Sequence, residues 1–416
     1  MKNEGERFVG RTKPAGKQWL LSAALAVVAF AATLGVLEVG FRLAGYEAIY
    51  EVYSKPSIFW RHDSLLGWSH QPDSRGTYVG PRPWPIEFRT PVRINSEGLR
   101  GPEITALPPD GVRILFLGDS VVAAFEVAYE STFVALVGQR LQRHFALPIQ
   151  VLNGGVRGYG TDQSYLYYRE RGRLLRPDLV VLVHSLNDLT NNMTLHRMRR
   201  PFGKPAFALT KTGLSLRGSP VPRYPLCSAW ILGEKYQPRR IDSFATRAVC
   251  WTQTNLSDHS ALFTFLGLRI RRRPELLRRL YDLGTPSGRA SLGRTAASAR
   301  ASVIPLAVGG PEPTVSREAA YELTAAIIRE LSREVRASGA DFALIIRGSE
   351  FDQLEPEAMR RAGIQPIEVL ITTAADEGTI RFENDSHYNS RGHYLAAQAL
   401  APAMAERIET VLARRR

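Results

Sequence analysis

Cysteine is almost missing from this chain: Cys227 and Cys250 are the two among 416 residues. Two cysteines exclude a disulfide framework, and without a CxxC or a Cys/His cluster nothing has the spacing of a zinc site. The pair can bridge if the domain lies outside the cytoplasm, or remain as two buried thiols. Paired carboxylates at a glycosidase-like spacing are absent, as is a glycine-rich phosphate loop. "GVRGYG" lacks the full Gly-x-Gly-x-x-Gly pattern and follows the second predicted strand rather than the first, so it is no dinucleotide fingerprint. Internal repeats are not seen. Acidic residues are scarce in one region: from Asn191 to Arg300 there are 5 Asp/Glu against 20 Lys/Arg, a balance of +15 in a chain whose total is +14. The basic excess is therefore regional.

What is present is globular in composition, 44% apolar and 23% charged, and long enough for one large domain or two ordinary ones. One uninterrupted apolar run stands out, "WLLSAALAVVAFAATLGVL" from Trp19 to Leu37, close to the roughly 20 residues that cross a bilayer. Lys2, Arg7, Arg11, Lys13 and Lys17 precede it, so residues 1–18 read as a basic cytoplasmic leader and 19–43 as a membrane anchor. Everything after Arg42 is then expected outside the cytoplasm, in a periplasmic or other extracytoplasmic space. Ala29-Phe30-Ala31 also fits a signal-peptidase site, and a cleaved leader would export the domain equally.

Residues 46–110, rich in Pro, Gly and aromatics, read as an irregular arm with short strands. Thereafter apolar strands alternate with amphipathic helices. Strands are predicted at Val112–Leu117, Ile149–Leu152, Asp178–His184 and Phe342–Arg347. Helices are predicted at Thr132–Phe145, Asp162–Leu175, Arg317–Ala337 and from Arg391 to Ala413. Continuous apolar strands between helices predict an α/β fold whose parallel sheet is covered on both faces, with ligands beyond the strands' carboxyl ends. Three of those ends read "RILFLGDSVV", "VLNGGVRGYGT" and "VLVHSLNDL", and "FENDSHYNSRGHYLAAQAL" precedes the last helix.

A serine, a glycine turn, an asparagine and an acid–histidine pair have converging roles in acyl transfer. A serine hydroxyl needs a histidine to take its proton, and a carboxylate fixes that histidine's tautomer. The resulting oxyanion needs fixed N–H donors, here the backbones of Ser120 and Gly158 and the Asn187 amide. Such chemistry calls for no cofactor and no metal. Asp119 and Asp188 are expected to brace the loops through turn hydrogen bonds, and His184 and His393 to be structural.

These motifs resemble the SGNH (GDSL-type) hydrolase family over about residues 95–195 and 315–412. The resemblance implies a flavodoxin-like three-layer α/β/α sandwich spanning 111–413. It also implies Ser120 as nucleophile, Gly158 and Asn187 in the oxyanion hole and His387 as base. Two positions depart from the family pattern: Ser185 replaces the usual glycine of the third block, and Asn384 stands where Asp-x-x-His would put its acid. Asp385, two residues before His387, is the expected orienting acid, a spacing similar to envelope polysaccharide-modifying relatives. Glu383 is the alternative, and a serine–histidine dyad held by a carbonyl is another.

With "NSEGLRG" upstream, the chain resembles a bacterial membrane-anchored branch of that family. An exported esterase removing O-acyl groups, such as acetyl, from a saccharide or envelope glycan follows. An O-acyltransferase on an exopolysaccharide, or a silent polysaccharide-binding or assembly protein, would use the same residues. The insertion at about 191–315 suggests a basic lid over Ser120 selecting anionic substrates, a surface for anionic lipid headgroups, or a solvated basic helix. Its "SDHSALFTFLGLRIRRRPELLRRLYDL" predicts a helix capped by Ser257 or Asp258 and bent near Pro274. An exported domain has no nucleic-acid partner.

Overall fold

The computed structural model describes residues 15–46, 48, 56–80, 86–185, 187–195, 203–221, 226–227, 239–240, 251–252, 259–271, 317–347, 359–361, 363–369 and 377–416. Cys250, Ser257, Asp258, Pro274 and the Cys227 side chain lie outside them, so the expectations placed on these residues do too. So does most of the expected lid.

The sheet follows from residue alternation. In strand β5 (Val112–Leu117), Val112, Ile114 and Phe116 enter one apolar cluster while Leu115 and Leu117 enter another. Strand β7 (Leu179–His184) divides the same way, Val180 and Leu182 against Leu179, Val181 and Val183. Each strand is thus buried on both faces, the condition under which parallel strands read as continuous apolar runs. Strands β6 (Ile149–Asn153), β10 (Asp341–Arg347) and β11 (Pro366–Val369) complete a five-stranded parallel sheet in the order β11-β10-β7-β5-β6. Numbered along the chain, that is the flavodoxin order 2-1-3-4-5, with its switch point between β5 and β7. The edge strand β11 had no sequence signal; it is short and begins with proline, as edge strands can.

Helices α3 (Phe133–Phe145) and α8 (Ser390–Arg415) cover one face, and α4 (Thr161–Glu170) and α7 (Arg317–Ala337) the other. Thr132 caps α3 by accepting from the Ala135 N–H at 3.2 Å, and Asn389 caps α8 by accepting from Gly392 at 3.1 Å. His393 accepts from the Phe133 N–H at 3.3 Å and stacks on that ring, a packed structural histidine.

Two antiparallel hairpins form the arm: β1 (Trp60–Asp63) with β2 (Gly67–His70), and β3 (Arg75–Gly80) with β4 (Phe88–Arg93). Helix α1 (Ala15–Leu43) is long and apolar enough to cross a membrane or serve as a signal sequence, and none of its apolar window is buried. In the insertion, β8 (Ala206–Thr210) and β9 (Gly213–Arg217) form a hairpin. Helix α6 (Ala261–Arg271) packs on α1, where Phe265 meets Phe41 at 4.8 Å between ring centres. Glu38 of α1 receives the Ala261 and Leu262 N–H groups at 2.9 and 3.0 Å and the Ser260 hydroxyl at 2.7 Å. The helix thus starts at Ser260, whose hydroxyl accepts from the Phe263 N–H.

Candidate active site

The chain must turn sharply after β5 to expose a side chain above the sheet. Gly118 allows this with φ +153°, where an added Cβ would lie 2.8 Å from the Val183 carbonyl oxygen. Asp119 then caps the short helical turn α2 (Ser120–Ala123) by accepting from the Val121 N–H at 2.9 Å. Its other oxygen accepts from the Asn187 side-chain amide at 3.1 Å. Asp119 therefore ties the end of β5 to helix α5 (Asn187–Asn192) after β7, which fits its expected bracing role.

Across from this turn, the segment 381–389 brings the histidine back. His387 Nε2 lies 2.8 Å from Ser120 Oγ, although 267 positions separate them in sequence. On its other edge, Nδ1 is hydrogen-bonded to Asp385 Oδ1, which also accepts from the His387 backbone N–H at 2.9 Å. Glu383 is exposed and makes no such contact; the acid on the ring is Asp385. Ser120 and His387 are partly exposed, so substrate can reach them. Burial would raise the Asp385 carboxyl's pKa, but the hydrogen bond and charge of His387, helped by Arg157, hold it below the ordinary carboxylate range.

The expected oxyanion donors lie at three neighbouring strand ends. Gly158 sits in the turn after β6 with φ +83°, a conformation that favours glycine. Neither its N–H nor that of Ser120 donates to another group among the described residues, and Asn187 uses one of its two amide hydrogens on Asp119. Ser185 occupies the departing glycine position: its hydroxyl donates to Asp119 at 3.4 Å and its N–H to Asp188 at 3.3 Å. Burial, with the Asp119 charge adding and the His184 hydrogen bond opposing, pushes the Asp188 carboxyl up to about 6. His184 is fully buried between Thr161 and Asp188 and takes no part at Ser120.

Several residues at the site carried no sequence role. Arg100, in "NSEGLRG", is 2% exposed and donates to the Ala123, Ala124 and Val127 carbonyls, holding the loop behind Ser120. Burial lowers its pKa to about 10 against the pull of Glu126, so it stays charged at neutral pH. Glu87 accepts from the Asn384 N–H at 3.0 Å and its side-chain amide at 2.9 Å, so the arm holds the segment bearing Asp385 and His387. Glu126 and Arg157 form a buried pair beside His387. The only signal for these two was a lone acid within "AFEVA" and a lone base among glycines in "GGVRGYG".

Glu126, Asp385 and His387 are also a group of metal-ligand type, their nearest ligand atoms lying within 4.8 Å of one another. Those atoms are already engaged with each other and with Arg157, a cation that a metal ion would have to displace. They fit a histidine–acid site better than a metal site.

The profile of the GDSL-like lipase/acylhydrolase family matches residues 116–394. Among solved structures, an acetylxylan esterase from Geobacillus stearothermophilus superposes with a TM-score of 0.30 at 13% identity, covering 71% of this chain and 95% of that one. An α/β hydrolase enzyme from the metagenome of Lake Arreo, Spain, gives 0.32 at 13% identity, over 70% and 94%. No curated protein matches the chain.

Proposed function

Because this chain belongs to the GDSL-like lipase/acylhydrolase family and is a hydrolase of ester bonds, we propose that Ser120, His387 and Asp385 are its catalytic residues. The observation that carries this reading is the 2.8 Å contact between Ser120 Oγ and His387 Nε2, with Asp385 on the far nitrogen. His387 would take the hydroxyl proton at Nε2 as Ser120 Oγ attacks the ester carbonyl. Asp385 holds the ring's Nδ1–H and stabilises the imidazolium without becoming protonated. The tetrahedral oxyanion is received by the Ser120 and Gly158 N–H groups and the free hydrogen of the Asn187 amide. Collapse expels the alcohol, which takes the proton from His387, and water then releases the acid from the acyl-enzyme by the same route.

The substrate we propose is an O-acyl group, such as acetyl, on a saccharide or envelope glycan, met outside the cytoplasm by a domain that α1 anchors. The anchor rests on the length and exposure of α1 and the basic leader before it. The substrate rests on the motif resemblance and on that location. A serine-directed fluorophosphonate should label the full chain in detergent and fail to label Ser120→Ala. Acetylated oligosaccharides should then release acetate, and mixed acceptors should report whether a sugar hydroxyl outcompetes water. A chain that takes no Ser120-dependent label is not a serine hydrolase.

A further inference from the structure

Asp385 is not the sole carboxylate at the Nδ1 edge of His387. Glu126, six residues after the nucleophile, places Oε1 3.5 Å from Nδ1, with its side chain wholly buried. Oε1 also accepts from the Arg157 guanidinium, which lies over the Tyr78 ring at 4.9 Å. Oε2 is buried and has no hydrogen-bond partner among the described residues. A buried carboxylate is costly unless its charge is offset and its oxygens are bonded. Arg157 meets the first condition and bonds Oε1, but Oε2 is left without a partner among the described residues, so pairing with Arg157 does not account for the whole carboxylate.

Two carboxylates at one imidazole favour the imidazolium and so oppose the ring's work as a base. A fixed guanidinium on the second acid limits that pull. Burial would lower the Arg157 pKa, but the charges of Glu126, Tyr78 and Asp385 outweigh it and raise it above its ordinary value, so the guanidinium stays charged.

We propose that Glu126 is a positioning residue that shares the Nδ1 edge of His387 with Asp385, its charge moderated by Arg157. This rests on the roles given above to Ser120 and His387. Asp385 orients the resting ring; Glu126 steadies the imidazolium as Nε2 takes the Ser120 proton. The Nδ1 proton stays on the ring throughout, and neither carboxylate is protonated. The unusual Asp-x-His spacing is then backed by an acid from elsewhere in the chain.

The test measures kcat and KM against pH for p-nitrophenyl acetate, using the full chain in detergent micelles. The chains compared are wild type, Asp385→Asn, Glu126→Gln and the double variant. A sole orienting acid would cost about 10⁴-fold in kcat when replaced by its amide. Shared orientation predicts a loss of only about 10- to 100-fold for D385N, about 3- to 10-fold for E126Q with KM unchanged, and at least about 10⁴-fold for the double, beyond the product of the singles. Removing a negative charge that faces His387 disfavours the imidazolium, so the acidic limb of kcat/KM in E126Q moves to lower pH. A purely structural glutamate would not move that limb. D385N falling as far as the double, or an unmoved limb in E126Q, overturns the proposal. If E126Q does not fold, E126Q/R157M, which removes both charges, takes its place in the kcat comparison with no limb shift expected, and the size of the D385N loss remains decisive. Fluorophosphonate labelling of wild type and S120A separates the two levels. Labelling with a full D385N loss sinks only the role of Glu126, whereas absent labelling sinks the serine reading and this role with it.

Discussion

Two buried lysine– and arginine–carboxylate pairs among the described residues are completed differently. Lys204 of the insertion donates to Asp162 at the start of α4 and to the Asn191, Pro205 and Thr194 carbonyls at 2.8, 2.8 and 3.2 Å, while Asp162 Oδ1 accepts from the Gln163 N–H. That ammonium is fully bonded and ties the insertion's first turn to the sheet's cover. Arg157 and Glu126 leave one carboxylate oxygen without a partner among the described residues and stand beside His387, the proposed base. A satisfied pair serves the scaffold, whereas an incompletely satisfied pair next to a proton-transfer group has capacity left for chemistry.

The sharpest way to fix the catalytic end of this comparison is Ser120→Ala. It should cost at least about 10⁴-fold in kcat and leave the unfolding midpoint unchanged, read by p-nitrophenyl acetate turnover and thermal melts. The scaffold end is set by Lys204→Met, which strands Asp162 as an uncompensated buried charge. Urea unfolding should show a loss of about 3–5 kcal/mol with turnover per folded molecule retained. A K204M chain that kept its stability and lost its turnover would break the contrast.

Arg157→Met exposes His387 to an unmoderated Glu126. The acidic limb of kcat/KM should move to higher pH, opposite in sign to the shift for Glu126→Gln. Linkage gives a smaller effect. The folded Asp385 pKa lies below its unfolded value, so this group contributes stability above the ordinary carboxylate range and loses it as pH falls through the folded pKa. The melting difference between wild type and Asp385→Asn should therefore be largest near neutral pH and vanish in acid. Smallest is Glu87→Gln, which weakens the hold on Asn384 and should lower kcat about threefold without altering the pH profile.

The sheet was legible because each of its main strands announces itself. Ile114–Leu117 is an unbroken apolar run closed by a glycine, and Arg317–Ala337 carries a helical period bounded as predicted. Ser120, Asp385 and His387 could be proposed because small polar clusters at strand ends are conspicuous against such runs, and the structure brings these three together. Glu126 and Arg157 were not legible, since each is one charged residue whose meaning depends on a partner 31 positions away. The arm was harder still. Its hairpins are short, and the hold of Glu87 on Asn384 spans 297 positions with no periodicity to reveal it. For the insertion helix, the expected caps were sought within the insertion itself. The acid that meets its first N–H groups belongs to α1.

That last contact bears on the two fates open to the N-terminal run. Cutting after Ala31 would discard the greasy leader yet spare Glu38, Phe41 and Arg42, the side chains on which α6 is seated. The socket lies downstream of the scissor point. Whether the leader is kept or shed, the insertion helix stays fastened to the same short stub, so a cut there would remove the apolar run without unseating α6.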